Sequence, residues 1–207
     1  MKSFSWKNSD DLDVKLRNLE DLLDVFNGLA GSDFTKLASP QILITFEDQL
    51  LSAGMTAADF SKIKSWTEAA PQELSIFIKS ALIVFWIEYL LLDFHGSTAL
   101  AHQCGSTVFL NSVRPLAHTK TFLHFVQQKR HLYWCMLKDS FTSAEDLTDW
   151  ILFYLDLVSD FLQENIEDLS HLAFRIEFDE LYQKPLNARQ KKLFVFCYGF
   201  PYDNNFQ

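Results

Sequence analysis

DLTDWILFYLDLVSDF, residues 146–161, decides the fold class. Leu147, Trp150, Ile151, Tyr154, Leu157, Val158 and Phe161 recur every three or four residues, the period of one helix face and not the period of two that marks a strand. The aromatic stripe Trp150, Phe153, Tyr154 and Phe161 reads as core. Thr142 or Ser143 is the expected N-cap, with Glu145 near the capping-box position. Upstream, TFLHFVQQKRHLYWCML (121–137) sets Phe122, Phe125, Val126, Tyr133, Met136 and Leu137 at helical spacing. Downstream, a helix is expected from about Asn165 to Gln183, stopping before Pro185, and another over Leu186–Val195.

The earlier chain reads the same way. Ser9-Asp10-Asp11 offers capping groups before Leu12, Val14, Leu16, Leu19, Leu22, Leu23 and Phe26, a helix ended by Gly28 and Gly31. Ser39-Pro40 opens a second helix from Gln41 to Ala53, and Thr56 a short third. Pro71 and Glu73 start a long apolar helix running to about Phe94. Its segment ALIVFWIEYLLLDF (81–94) is interrupted by Glu88 and Asp93 and is shorter than the roughly twenty residues a membrane span needs. It reads as a buried central helix, with no membrane association. No segment alternates as a strand does, so the chain is expected to be all-α.

Composition narrows the function. With 48% hydrophobic residues, 20 Phe and only 6 Gly and 5 Pro, the 207 residues form long elements around a real core. A net charge of −9 gives the wrong field for a phosphate backbone, which disfavours nucleic acid. Arg189-Gln190-Lys191-Lys192 is the local exception and reads as a solvated face. Cys104, Cys135 and Cys197 are odd in number and share no C-x-x-C spacing, against a disulfide framework or zinc cluster and compatible with a reducing compartment. Cys135 falls on an apolar helix and reads as core. His102, His118, His124, His131 and His171 are scattered with no paired spacing, so no metal site is expected; His124 and His131, seven apart, should share a helix face. MKSFSWKNSDDLDVK at the N-terminus lacks the apolar core of a secretory signal, which points to the cytoplasm; a secreted effector without such a signal fits the same observation.

Between His95 and Asn111, HGSTALAHQCGSTVFLN breaks the pattern. Gly96 and Gly105 predict turns, with a helix starting near Ser106. Residues 121–137 and 146–161, followed by LNARQKKL (186–193), resemble in order and spacing the C-terminal half of the Fic (Fido) domain. There an R-x-x-Y-(Y/W) helix precedes a D-(L/I)-x-x-W-(I/L)-x-(F/W) helix and an L-N-x-R-Q segment. The likeness covers about a third of the chain.

That resemblance implies a Fic-like helical bundle over 65–194, with an N-terminal helical extension over 1–64 and a divergent tail over 195–207. It also implies a reaction: transfer of AMP from ATP to a protein hydroxyl. The family motif resembles H-P-F-x-(D/E)-G-N-G-R, in which the histidine is the general base, the acid holds the metal, the G-N-G turn cradles phosphate and the arginine grips it. Laid on this chain, His95 takes the base position, Gly96 replaces proline, Ala99 replaces the acid, Leu100-Ala101-His102 replaces G-N-G and Gln103 replaces the arginine. The remaining anion hole would be backbone N–H groups at Gly105 and Ser106, at the helix start. His95 has a second reading as a helix C-terminal histidine favoured by the macrodipole, and Arg130 reads as a buried or stacked structural residue.

The expectation is a Fic-like pseudoenzyme, or remnant, that acts through a protein partner and carries no cofactor. One alternative is an active divergent nucleotidyl- or phosphoryl-transferase using His95 with ATP and Mg. Another is an unrelated helical interaction or regulatory protein, whose apolar helices partly serve a homo-oligomer interface.

Overall fold

The computed structural model describes residues 5–30, 45–70, 74–92, 96–110, 120–143 and 146–181. Among them stand eight helices and no strand: α1 (Asp10–Ala30), α2 (Glu47–Ser52), α3 (Ala57–Ala69), α4 (Ile76–Leu90), α5 (Ser97–Leu110), α6 (Phe122–Gln128), α7 (Arg130–Ser143) and α8 (Thr148–Leu181). The all-α expectation therefore stands. The only extended pairing among these residues is an isolated bridge between Ser5 and Asp146. No helix among them is long and apolar enough to cross a membrane.

Contacts divide the chain into units Met1–Leu169 and Ser170–Gln207, the second described only through the last turns of α8. In the first unit one core cluster takes Leu12, Leu19 and Phe26 from α1, nearly all of α4, and Trp150, Tyr154 and Phe161 from α8. The helix expected as an N-terminal extension is thus part of the main core.

Several helix ends fall where capping chemistry puts them. Thr56 accepts from the Asp59 amide and starts α3. α4 starts at Ile76, with Ser75 as its cap, and not at Pro71; Pro71 and Glu73 lie outside the described residues. Thr142 and Ser143 are inside α7, where Thr142 Oγ1 donates back to the Asp139 carbonyl. Asp146 caps α8 instead, accepting from the Thr148 amide at 3.0 Å. α8 also runs through Asn165 without a break. That residue is fully buried, and its side-chain amide accepts from the Lys120 N–H and donates to the carbonyls of Lys120 and Phe161. A polar residue that reads as a helix start is holding the incoming chain against the middle of α8.

Among the described helices, α4 and α5 pack against each other most extensively. Ser80, Val84 and Glu88 form one i, i+4 ridge on α4, and Ser97, Ala101 and Gly105 form one on α5. Ser80 meets Gly105 and Glu88 meets Ser97, so the two ridges run antiparallel. Small side chains on α5 let the helix axes approach, and the apolar side chains around them seal the seam.

Candidate functional site

The segment expected to be a catalytic loop is a helix. Gly96 turns the chain with φ of 111°, a region that side-chain-bearing residues avoid, and α5 begins at the next residue and continues unbroken to Leu110. His95 lies outside the described residues, as do the 186–193 segment and the tail over 195–207.

Gly105 and Ser106 do not open a helix. They are the ninth and tenth residues of α5, so their N–H groups are committed to the helix's own bonds and form no anion hole. Gly105 serves close packing instead: a Cβ there would stand 2.3 Å from Val84 Cγ2. Its carbonyl accepts from Ser80 Oγ at 2.7 Å. With Ser80's single proton committed, the Tyr154 hydroxyl, also at 2.7 Å, must donate to Ser80 Oγ. Ser106 Oγ donates to the Gln103 carbonyl. Cys104 is fully buried in α5, and burial pushes its thiol pKa up, away from reactivity.

The densest chemistry lies along the same seam. Glu88, at the end of α4, accepts from Ser97 Oγ at 3.0 Å and from the Tyr133 hydroxyl at 2.7 Å. Tyr133 OH is in turn 3.0 Å from His102 Nε2. Because Tyr133 gives its proton to Glu88, Nε2 carries a proton and donates, which leaves His102 Nδ1 as a bare acceptor. That atom has no hydrogen-bond partner among the described residues. The ring is wrapped by Phe122, Tyr133 and Tyr154, parallel to the last within 4°. The result is a relay, His102 to Tyr133 to Glu88, that ties α5, α7 and α4 together.

Its electrostatics are set by burial. Glu88 has its pKa raised because burial disfavours the carboxylate, and hydrogen bonds from Tyr133, Thr98 and Ser97 pull it back only in part. Burial holds His102 down to about 3 and pushes Tyr133 far up, with the Glu88 charge adding to the shift. The two ends therefore act oppositely on stability. His102 contributes stability that is present above its ordinary value of 6.5 and lost as pH falls towards 3. Glu88 contributes stability that is present below its ordinary value of 4.5 and lost as pH rises through its raised folded value. Glu88→Gln should therefore gain on the parent protein as pH rises above 4.5 and through the raised folded value of Glu88, read as a growing difference in urea midpoint. Parallel curves would remove Glu88 as a titrating group.

Glu88, His102 and Tyr133 are at most 1% exposed and Ser97 4%, so no substrate reaches them. This is a structural relay. In the sequence Glu88 reads only as an interruption of an apolar helix. No local signal finds it: Ser80 and Glu88 stand eight residues apart with apolar Val84 between them, and their partners come from other helices.

Other assignments also move. Arg130 is exposed at the start of α7, not buried, and Cys135 is exposed, not core. His124 and His131 do not share a helix face: α6 ends at Gln128, and His131 belongs to α7. No group of three or more His, Cys, Asp or Glu among the described residues could hold a metal. A cavity of about 550 Å³ opens beside Trp6, Asp13, Leu16, Glu20 and Ile78. It shares no residue with the relay, and its two carboxylates repel phosphate. Comparisons with known protein families, with curated proteins and with solved structures find no match for this chain.

Proposed function

We propose that this is a Fic-like helical protein whose nucleotide-transfer site has been converted into packing, and that it acts by binding another protein. The Fic likeness rests on the order and spacing of residues 121–137, 146–161 and 186–193. The loss of chemistry is supported by one observation above others: positions 97–110, where the family motif would present its acid, glycine turn and arginine, form a helix with Leu100, Ala101, His102 and Gly105 in its buried face. Ala99 stands at the acidic position and an exposed Gln103 at the arginine. A neutral residue holds no metal, and an amide grips phosphate far less strongly than a guanidinium.

The test uses labelled ATP with Mg and candidate target proteins, with His95→Ala as control. No His95-dependent label is expected. Nor should ATP, ADP or AMP at saturating concentration raise the melting temperature. Ligand at a hundred times its Kd stabilises by about 2.7 kcal/mol, which in a chain of this size reads as about 5 °C or more. Label that disappears in His95→Ala, or a shift of that size, favours the active divergent transferase and ends the pseudoenzyme reading.

A further inference from the structure

Two helices of the first unit carry outward faces that are chemical opposites. On α1, Leu12, Leu19, Leu23 and Phe26 enter the core. The opposite face carries Val14, Asp21, Val25 and Leu29, with Asp10, Asp11 and Asp24 and a single cation, Arg17, beside them. Val14, Asp21 and Val25 are spaced i, i+7, i+11 and form one stripe. Val14 is 46% exposed and Val25 51%. The four aspartates of this face appear in no ion pair among the described residues.

Among the described side chains of α7, Tyr133, Leu137 and Ser140 are the buried ones. Arg130, Trp134 and Lys138 stand at i, i+4, i+8 along one exposed flank, and Phe141, seven residues past Trp134 and half-buried against Phe85, borders it. Phe141 packs edge-on against Tyr89 at the end of α4, at 5.4 Å between ring centres. Trp134 is 40% and Leu92 53% exposed. Neither Arg130 nor Lys138 has an ion-pair partner among the described residues. An aromatic centre with an unpaired cationic rim has the composition of an interface hot spot, in a chain whose net charge is −9.

We infer that the α7 flank docks the acidic outer stripe of α1 from a second copy of the chain. Val14 and Val25 would lie against Trp134 and Phe141, and the α1 aspartates would meet Arg130 and Lys138. The occupant is fixed by charge complementarity that the chain itself supplies on both sides. The two faces differ, so the contact is head to tail, and it grows into rings or chains instead of closing as a two-fold dimer. This gives the protein-binding reading a partner and rests on that reading. A monomeric result would end the inference and leave the loss of nucleotide transfer standing.

Sedimentation of the whole chain tests it with two variants, each disabling one face: Arg130→Glu/Lys138→Glu on α7 and Asp21→Lys/Val25→Lys on α1. All four side chains are exposed, so both variants should melt close to the parent. The parent is expected to sediment faster as its concentration rises, and more slowly again in high salt. Each variant alone should associate about tenfold more weakly or worse, since reversed charges meet like charges. Mixed one to one, the variants should recover association, since each owns one intact face and the two reversed faces are opposite in charge to each other. Three outcomes overturn the inference: a parent that stays monomeric, single-face variants that associate as the parent does, or a mixture that does not pair.

Discussion

Gly105→Ala is expected to destabilise the protein by about 3 kcal/mol, a loss of roughly 6–10 °C in melting temperature for a chain this long. On propensity alone the change would gain about 1 kcal/mol, because alanine is the better helix former. Packing reverses the sign. The new Cβ meets Val84 Cγ2 at 2.3 Å, Ser80 Oγ at 3.1 Å and Tyr154 OH at 3.2 Å. Val84 is β-branched and fully buried in α4, so it has one comfortable rotamer and nowhere to turn. Relief requires α4 and α5 to part, and parting them stretches the bond from Ser80 to the Gly105 carbonyl. It also leaves Tyr154 donating to a displaced hydroxyl, a cost of about 1–3 kcal/mol for a buried group left unmatched. Denaturant melts of Gly105→Ala, Val84→Ala and the double variant check the cause. The double variant should be less destabilised than the sum by at least about 1 kcal/mol, because removing Cγ2 makes room for the new methyl. Strict additivity would mean that Gly105 is not held by this contact.

The same glycine shows how far the sequence can be read. Helices with one apolar face were legible: the pattern over 146–161 predicts core at Trp150, Ile151, Tyr154 and Val158, and all four are fully buried. Legibility failed where a helix is small or apolar all round. α5 has no clear stripe, since Ser97, Ala101 and Gly105 present almost no side chain to a helix that buries nearly every residue. Small residues that read as a loop are what close helix approach demands. Polar residues misled in the same way. Asn165 reads as a cap because asparagine favours caps, but its amide is used to satisfy a backbone forty-five residues away. Glu88 reads as an interruption because its donors, Ser97 and Tyr133, come from two other helices. Pairing between elements is written in no local window, so the relay had no signature to find: the family resemblance singles out His95, whereas the relay is built on His102.

Tyr133→Phe is expected to cost about 3–5 kcal/mol, although it removes a single oxygen and keeps the ring. That oxygen has two duties at once. It donates to Glu88 Oε1 at 2.7 Å and accepts from His102 Nε2 at 3.0 Å. Phenylalanine leaves both partners buried and short of a bond, at about 1–3 kcal/mol each and more where the group is charged. His102 is hit hardest, because its Nδ1 already lacks a partner among the described residues, and losing Tyr133 leaves the whole imidazole unmatched. The loss must also depend on pH, with a definite sign. The Tyr133 hydroxyl is the largest influence that lowers the Glu88 pKa against burial. Without it the folded-state pKa of Glu88 rises further above its ordinary value, and more stability is lost as pH climbs. The gap between parent and variant should therefore widen in urea melts as pH rises through the raised Glu88 value. A second substitution separates the relay from simple ring packing. In Glu88→Gln no carboxylate remains to be stranded, so adding Tyr133→Phe to that background should cost at least about 1 kcal/mol less than in the parent, and the widening with pH should vanish. An equal cost in both backgrounds, flat with pH, would show that the Tyr133 hydroxyl acts alone and that no relay joins the three helices.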